Sequence, residues 1–171
     1  MESAAHLRPG TEIATFRVQE KLREGGMALL YRVAAGDGGE AGLLKVPKLE
    51  FGSHPACYAG FEVEQMILGR LAGPHVPRLL ASGESDFGPY LVMEEIAGKS
   101  LAEFAAAAPL PAAEVARLGV ALAAALHDLH RQEVVHHDLK PSHVILREDG
   151  QATLIDFGLA FHVHLPDLVD A

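Results

Sequence analysis

The run His136-His137-Asp138-Leu139-Lys140-Pro141-Ser142-His143, followed by Asp156-Phe157-Gly158, constrains this chain more than any other feature. Short apolar runs lie between the two segments: Val144 to Leu146 and Thr153 to Ile155 flank the turn Glu148-Asp149-Gly150. Such a pattern puts each acid on its own short loop beside a strand. A carboxylate at Asp138 can take a proton from an attacking hydroxyl, and Lys140 can neutralise charge on a moving phosphoryl group. Asp156 can hold a divalent cation against phosphates. A lone acid in a loop carries little meaning, because most are simply solvated. An acid, a lysine and a second acid before Phe-Gly form a far rarer combination.

Size and charge narrow the rest. The 171 residues suit one domain of ordinary size, and 49% of them are apolar, enough for a sizeable core. A net charge of −9 argues against nucleic acid or an anionic membrane as the main partner. Cys57 is the single cysteine, which excludes an internal disulfide and fits a reducing compartment. The first residues hold no apolar signal region, and the longest apolar run, Leu118 to Leu126, is too short to span a bilayer. A cytoplasmic chain without direct membrane insertion is expected.

Periodicity places the remaining residues. Met1 to Thr15 reads as a flexible polar leader. Phe16 to Arg23 and Leu29 to Ala35 read as strands around a glycine-containing turn, with a hairpin turn at Gly36-Asp37-Gly38-Gly39 and a third strand over Ala41 to Pro47. Phe51 to Pro55 reads as a loop. Cys57 to Leu71 has helical spacing and stops at Gly73-Pro74. Arg78 to Ser82 and Tyr90 to Glu94 are two further strands. Beyond Gly98 the pattern turns helical, with a short alanine-rich helix at Leu101 to Ala108 and a long one at Pro111 to Arg131. The apolar positions of the long helix cover more than one face, so burial nearly all round is expected. His127 and His130 fit helix-end residues near the terminal carbonyls better than zinc ligands.

These residues together resemble a protein kinase of the bacterial serine/threonine type. The family pattern His-Arg-Asp-Leu-Lys-Pro-x-Asn and then Asp-Phe-Gly is matched over most positions. Upstream and in order, Leu22 to Tyr31 resembles the glycine-rich loop, Leu43-Leu44-Lys45-Val46 the strand with the ATP lysine, Phe61-Glu62-Val63-Glu64 the helix with its carboxylate partner, and Tyr90 to Glu95 the adenine hinge strand. The likeness runs from about Phe16 to the C-terminus. It implies an α+β fold: an antiparallel N-lobe sheet with one helix over residues 16–97, then a partial, mostly helical C-lobe over 98–171. A complete domain of this family is longer, so the rest of the activation segment, with its Ala-Pro-Glu-like end, and the helices beyond are expected to be missing.

By the same resemblance, Asp138 acts as base and Lys140 neutralises charge. ATP is bound by Lys45 and Glu64, by Leu22, Gly25 and Gly26 of the loop, by Leu30, Leu43 and Ile145 at the adenine faces, and by Met93, Glu94 and Ile96 at the hinge. Asp156, with His143, takes the metal, Mg2+ or in part Mn2+. His136 packs under Phe157. Protein serine or threonine hydroxyls are the implied acceptors. Several positions depart from the pattern. Arg23 and Ala28 replace loop glycines, Leu43 an alanine, His137 an arginine and His143 an asparagine. An imidazole suits zinc, copper, iron or nickel better than magnesium, so impaired two-metal chemistry follows. Two other readings stay open: a non-catalytic nucleotide-binding module, and a small-molecule phosphotransferase, against which Lys140 and Phe157 stand.

Overall fold

Residues 28–35 alternate half-buried with buried positions, as a strand with one face in a core must. The computed structural model describes residues 7–26, 28–36, 38–48, 55–106 and 108–166. In it, β1 (Glu12–Ile13), β2 (Phe16–Glu24), β3 (Ala28–Ala35), β4 (Gly42–Pro47), β5 (Leu79–Ser85) and β6 (Gly88–Glu94) form one sheet. Its order is β1-β2-β3-β4-β6-β5, and every neighbouring pair is antiparallel. The β5–β6 turn is closed by Ser85, whose hydroxyl donates to the Gly88 carbonyl at 2.9 Å, with Gly88 at φ 101°. Leu29, Tyr31, Val33, Leu44, Val46, Tyr90 and Val92 fill the core on one face of this sheet. The register puts Leu30 opposite Lys45, Arg32 opposite Leu43, and Leu43 opposite Met93, all on the other face.

Two differences from the sequence expectation lie here. Residues from Leu7 onward do not form a loose leader: Leu7 and Ile13 are 6% and 1% exposed, and β1 pairs with β2. Their apolar side chains find the same core as Phe16 and Val18, which outweighs the polar look of the segment. β5 and β6 also extend beyond the expected strands, because their pairing runs out to Ser85 and Gly88 at the ends of the turn. The expected loop before Pro55 and the central Asp37 of the hairpin turn fall outside the described residues.

The chain divides into two compact units, residues 1–61 with 78–95 and residues 62–77 with 96–171. The second takes in the C-terminal half of α1 (Pro55–Leu68) and the loop after it. Hydrogen bonds to residues far along the chain tie that loop to this unit. Leu154 N–H donates to the His75 carbonyl at 2.8 Å, and the Thr153 hydroxyl donates to the Pro74 carbonyl at 3.1 Å. The Ala72 N–H donates to the Gln132 side chain at 2.9 Å.

The second unit continues through β7 (Lys99–Ser100), α2 (Leu101–Ala106), α3 (Ala112–Arg131), β8 (Val134–Val135), β9 (Val144–Leu146), β10 (Ala152–Leu154) and β11 (Phe161–His162). A small sheet has the order β10-β9-β7, and β11 pairs with β8. Ser100 and Glu103 form a capping box at the start of α2: Ser100 N–H donates to Glu103 Oε2 at 2.7 Å and Glu103 N–H to Ser100 Oγ at 3.3 Å. α3 is not buried all round. Leu118, Ala125 and Leu129 make one buried stripe, while Val115 and Val120 are exposed. Spacings of seven and four keep those three side chains on one side, against β8 and β10.

Candidate active site

Local backbone geometry prepares the second unit for charged chemistry. His137 and Asp156 both sit in the left-handed region, at φ 57° and 67°. Aspartate tolerates that region better than most residues, because its short side chain bonds locally. A single 3-10 turn at Pro141–His143, unanticipated from sequence, follows the loop and starts on a proline with preset φ. It carries His143 back over the loop. His143 N–H donates to the Lys140 carbonyl at 2.8 Å, and the Ile155 N–H donates to the His143 carbonyl at 3.0 Å.

These bonds bring Asp138, Lys140, His143 and Asp156 together. Lys140 Nζ lies 2.8 Å from Asp138 Oδ2. His143, 7% exposed, places Nδ1 3.1 Å from the Asp138 carbonyl oxygen and Nε2 3.4 Å from Asp156 Oδ2. Burial pushes the His143 pKa down, against the opposing pull of Asp156, so a neutral ring is favoured. A carbonyl only accepts, so Nδ1 carries the hydrogen. Nε2 is then a lone pair facing a carboxylate oxygen. His136 lies 5.0 Å from Phe157 between ring centroids, as the sequence reading expects. Its Nε2 bonds the Ile155 carbonyl at 3.1 Å, and its buried Nδ1 has no hydrogen-bond partner. His137 is exposed and stacks on Phe161, with centroids 6.2 Å apart and planes 10° off parallel. Glu64 is 1% exposed and Ile145 half-buried in this unit; Ile96 is also half-buried. A carboxylate as buried as Glu64 requires compensation by a cation or by donors.

The first unit holds the other candidates. Leu30, Leu43 and Lys45 are half-buried on the sheet face opposite the core, with Met93 beside them. Leu22 is 38% exposed on β2. The glycine turn is tight: Gly25 N–H donates to the Ala28 carbonyl at 2.9 Å, and a Cβ on Gly25 would sit 3.3 Å from that oxygen. Gly26 is open around its Cα. Arg23 is exposed, so its side chain reaches solvent. Glu94 ends β6, where Arg78 accompanies it.

Sequence reasoning missed Arg32 and its pairing with Glu95. Arg32 Nε donates to Glu95 Oε2 at 2.9 Å and Nη2 to Oε1 at 2.7 Å, and Nη1 pairs with Glu20. Strand alternation from Leu30 was the available signal for Arg32. None existed for its partner, 63 positions away.

The donor set tests an implied magnesium ion. Asp156 offers the hard oxygen that magnesium takes, whereas His143 offers nitrogen. Among the described residues no group of three or more histidine, cysteine, aspartate or glutamate side chains could hold a metal ion. One oxygen-bound ion at Asp156, completed by phosphates and water, fits these residues; a second magnesium at His143 does not.

A family model described as a protein kinase domain matches residues 16–169. The probable serine/threonine-protein kinase CPE1738 of Clostridium perfringens is 30% identical over 146 residues, covering 85% of this chain and 21% of that protein. Serine/threonine-protein kinase pkn2 of Myxococcus xanthus is 32% identical over 148 residues, covering 85% and 18%. PknE of Mycobacterium tuberculosis is 31% identical over 165 residues, covering 94% and 28%. The chain thus spans from under a fifth to just over a quarter of these relatives. The solved structure titled PpkA-294 apo form superposes with a TM-score of 0.74 at 22% identity, over 90% of this chain and 62% of that one. A likeness at that identity speaks to the fold, which is that of a protein kinase.

Proposed function

We propose, from the premise that this chain belongs to the protein kinase domain family, that it transfers the γ-phosphate of ATP to serine or threonine hydroxyls of a protein. The observation that carries the reading is the ion pair of Asp138 and Lys140 with Asp156 gathered beside it through His143. Asp138 takes the acceptor proton, and the Lys140 ammonium offsets charge on the transferring group. Lys45 and Glu64 serve the phosphates, while Leu30, Leu43 and Ile145 with residues 93–96 receive the base. Asp156 would hold a magnesium ion, which neutralises phosphate charge when bound. The single cysteine and the acidic charge support a cytoplasmic setting, and no helix among the described residues is long and apolar enough to cross a membrane.

A γ-phosphate transfer assay on serine and threonine peptides tests this. Asp138→Asn should lower transfer roughly a hundredfold to ten-thousandfold while ATP still binds. An unchanged rate would remove Asp138 from the mechanism. The His143 nitrogen facing Asp156 favours a second reading, in which the chain binds nucleotide without transferring phosphate. ATP-induced thermal stabilisation without measurable transfer, under Mg2+ or Mn2+, would select it.

A further inference from the structure

The end of β6 is held from both faces of the sheet. Glu94 and Glu95 are successive residues, so their side chains leave in opposite directions. Arg78 takes Glu94, with Nε 3.3 Å from Oε2, and is itself paired with Glu40. The Glu94 N–H also donates to the Arg78 carbonyl at 2.9 Å. Arg32 takes Glu95 through two parallel hydrogen bonds and is paired with Glu20. Two arginines, each backed by a second carboxylate, therefore pin the last residues before Ile96.

Only the Arg32 pair lies on the face that carries Leu30, Leu43 and Lys45. Arg32 stands opposite Leu43 in the β3–β4 register, and Leu43 stands opposite Met93 in the β4–β6 register. The guanidinium must therefore reach across β4 to find Glu95. Lys45, opposite Leu30, marks one end of this face, and the Arg32–Glu95 pair marks the other. The two apolar side chains between them, Leu30 and Leu43, are half-buried. Two leucines on one sheet face, with a cation at one end and a pinned strand terminus at the other, suit a base with a charged tail. The guanidinium fork matches the carboxylate in a planar, two-bond geometry that a lysine could not reproduce. Side chains of Arg32 and Glu95 are 36% and 33% exposed, so the pair is partly shielded from solvent. Its hydrogen bonds from Arg32 hold the Glu95 carboxyl below its ordinary range.

We infer that Arg32 is a positioning residue for nucleotide base binding: paired with Glu95 across the Leu30–Leu43–Lys45 face, it fixes the backbone at residues 94–96 against which the base docks. The inference rests on the nucleotide-binding reading above and names the device that sets affinity for the base as opposed to the phosphates.

The test uses the full chain in four forms: wild type, Arg32→Ala, Glu95→Gln and the reversal R32E/E95R. Titration calorimetry with ATP and with tripolyphosphate separates the base from the phosphates. Each single variant should bind ATP about tenfold more weakly, the scale of one charged hydrogen-bonded pair, with tripolyphosphate affinity unchanged. The reversal should recover at least about threefold of the lost ATP affinity, short of wild type because the carboxylate then at position 32 faces Glu20. Amide exchange at residues 93–96, measured without nucleotide, should quicken in the single variants and slow again in the reversal. Equal ATP affinity across all four forms overturns the inference, as does a parallel loss of tripolyphosphate binding or unchanged amide exchange. Should wild type bind no ATP at all, the nucleotide reading itself fails; exchange at residues 93–96 then decides alone whether Arg32 holds the strand end.

Discussion

A neutral His143 that gives its Nδ1 hydrogen to the Asp138 carbonyl leaves a lone pair 3.4 Å from an Asp156 oxygen. Two acceptors facing each other repel, unless a cation lies between them or a proton joins them. The nitrogen also makes a poor magnesium ligand, and manganese tolerates it better. His143→Asn should raise Mg2+-supported phosphate transfer about tenfold and lower the Mn2+-to-Mg2+ activity ratio, through a harder oxygen ligand. Equal ratios in the two proteins would refute this account of His143. At the glycine turn, hydrogen bonds from Lys21 and Lys48 hold the Glu24 carboxyl at about 2, against an ordinary 4.5. A depressed carboxylate contributes stability that is complete above 4.5 and is lost as pH falls towards 2. The urea midpoints of wild type and Glu24→Gln should therefore differ at pH 7 and converge only below about pH 2. Exposure keeps the difference small, and added salt should shrink it further.

Elements fail where their packing or caps fail. Leu44 on β4 is fully buried in the sheet core, so Leu44→Ala should cost about 2–5 kcal/mol in chemical denaturation. Ser100→Ala removes one half of the α2 capping box and should cost about 1 kcal/mol. Gly98 is the stricter position. It sits at φ 152°, and a Cβ there would collide with the Leu146 backbone carbonyl. Gly98→Ala should destabilise the protein more than Ser100→Ala does, read from the same urea midpoints. Elements with strong periodicity were legible in sequence. β3 is an apolar run bounded by glycine turns, and α1 and α3 carry helical spacing, so all three emerged near their true bounds. Less legible was the partnership each element finds. The polar look of residues 7–15 hid Leu7 and Ile13, whose burial depends on a core assembled from distant strands. The breadth of apolar positions on α3 overstated its burial: Leu118, Ala125 and Leu129 are buried, whereas Val115 and Val120 face solvent. Ser100-x-x-Glu103 was a readable signature and was passed over.

For the whole molecule, binding and stability are linked. If ATP binds the folded chain alone, saturation at about a hundredfold its Kd should stabilise the protein by about 2.7 kcal/mol, raising Tm in a concentration-dependent way. A Tm that ignores ATP would contradict nucleotide binding, whatever the family. Residue order was enough to reveal the kinase family, the Asp138–Lys140 and Asp156-Phe157-Gly158 segments, and the departures at His137 and His143. Those are matters of which chemical groups stand at which short spacing, and short spacings survive in a one-dimensional string. Folding alone brought Arg32 to Glu95 and the His143 lone pair to Asp156, and it set the left-handed turns at His137 and Asp156. Each depends on where strands and loops from separate parts of the chain come to rest, which distance-dependent packing and hydrogen bonding decide and local pattern does not encode.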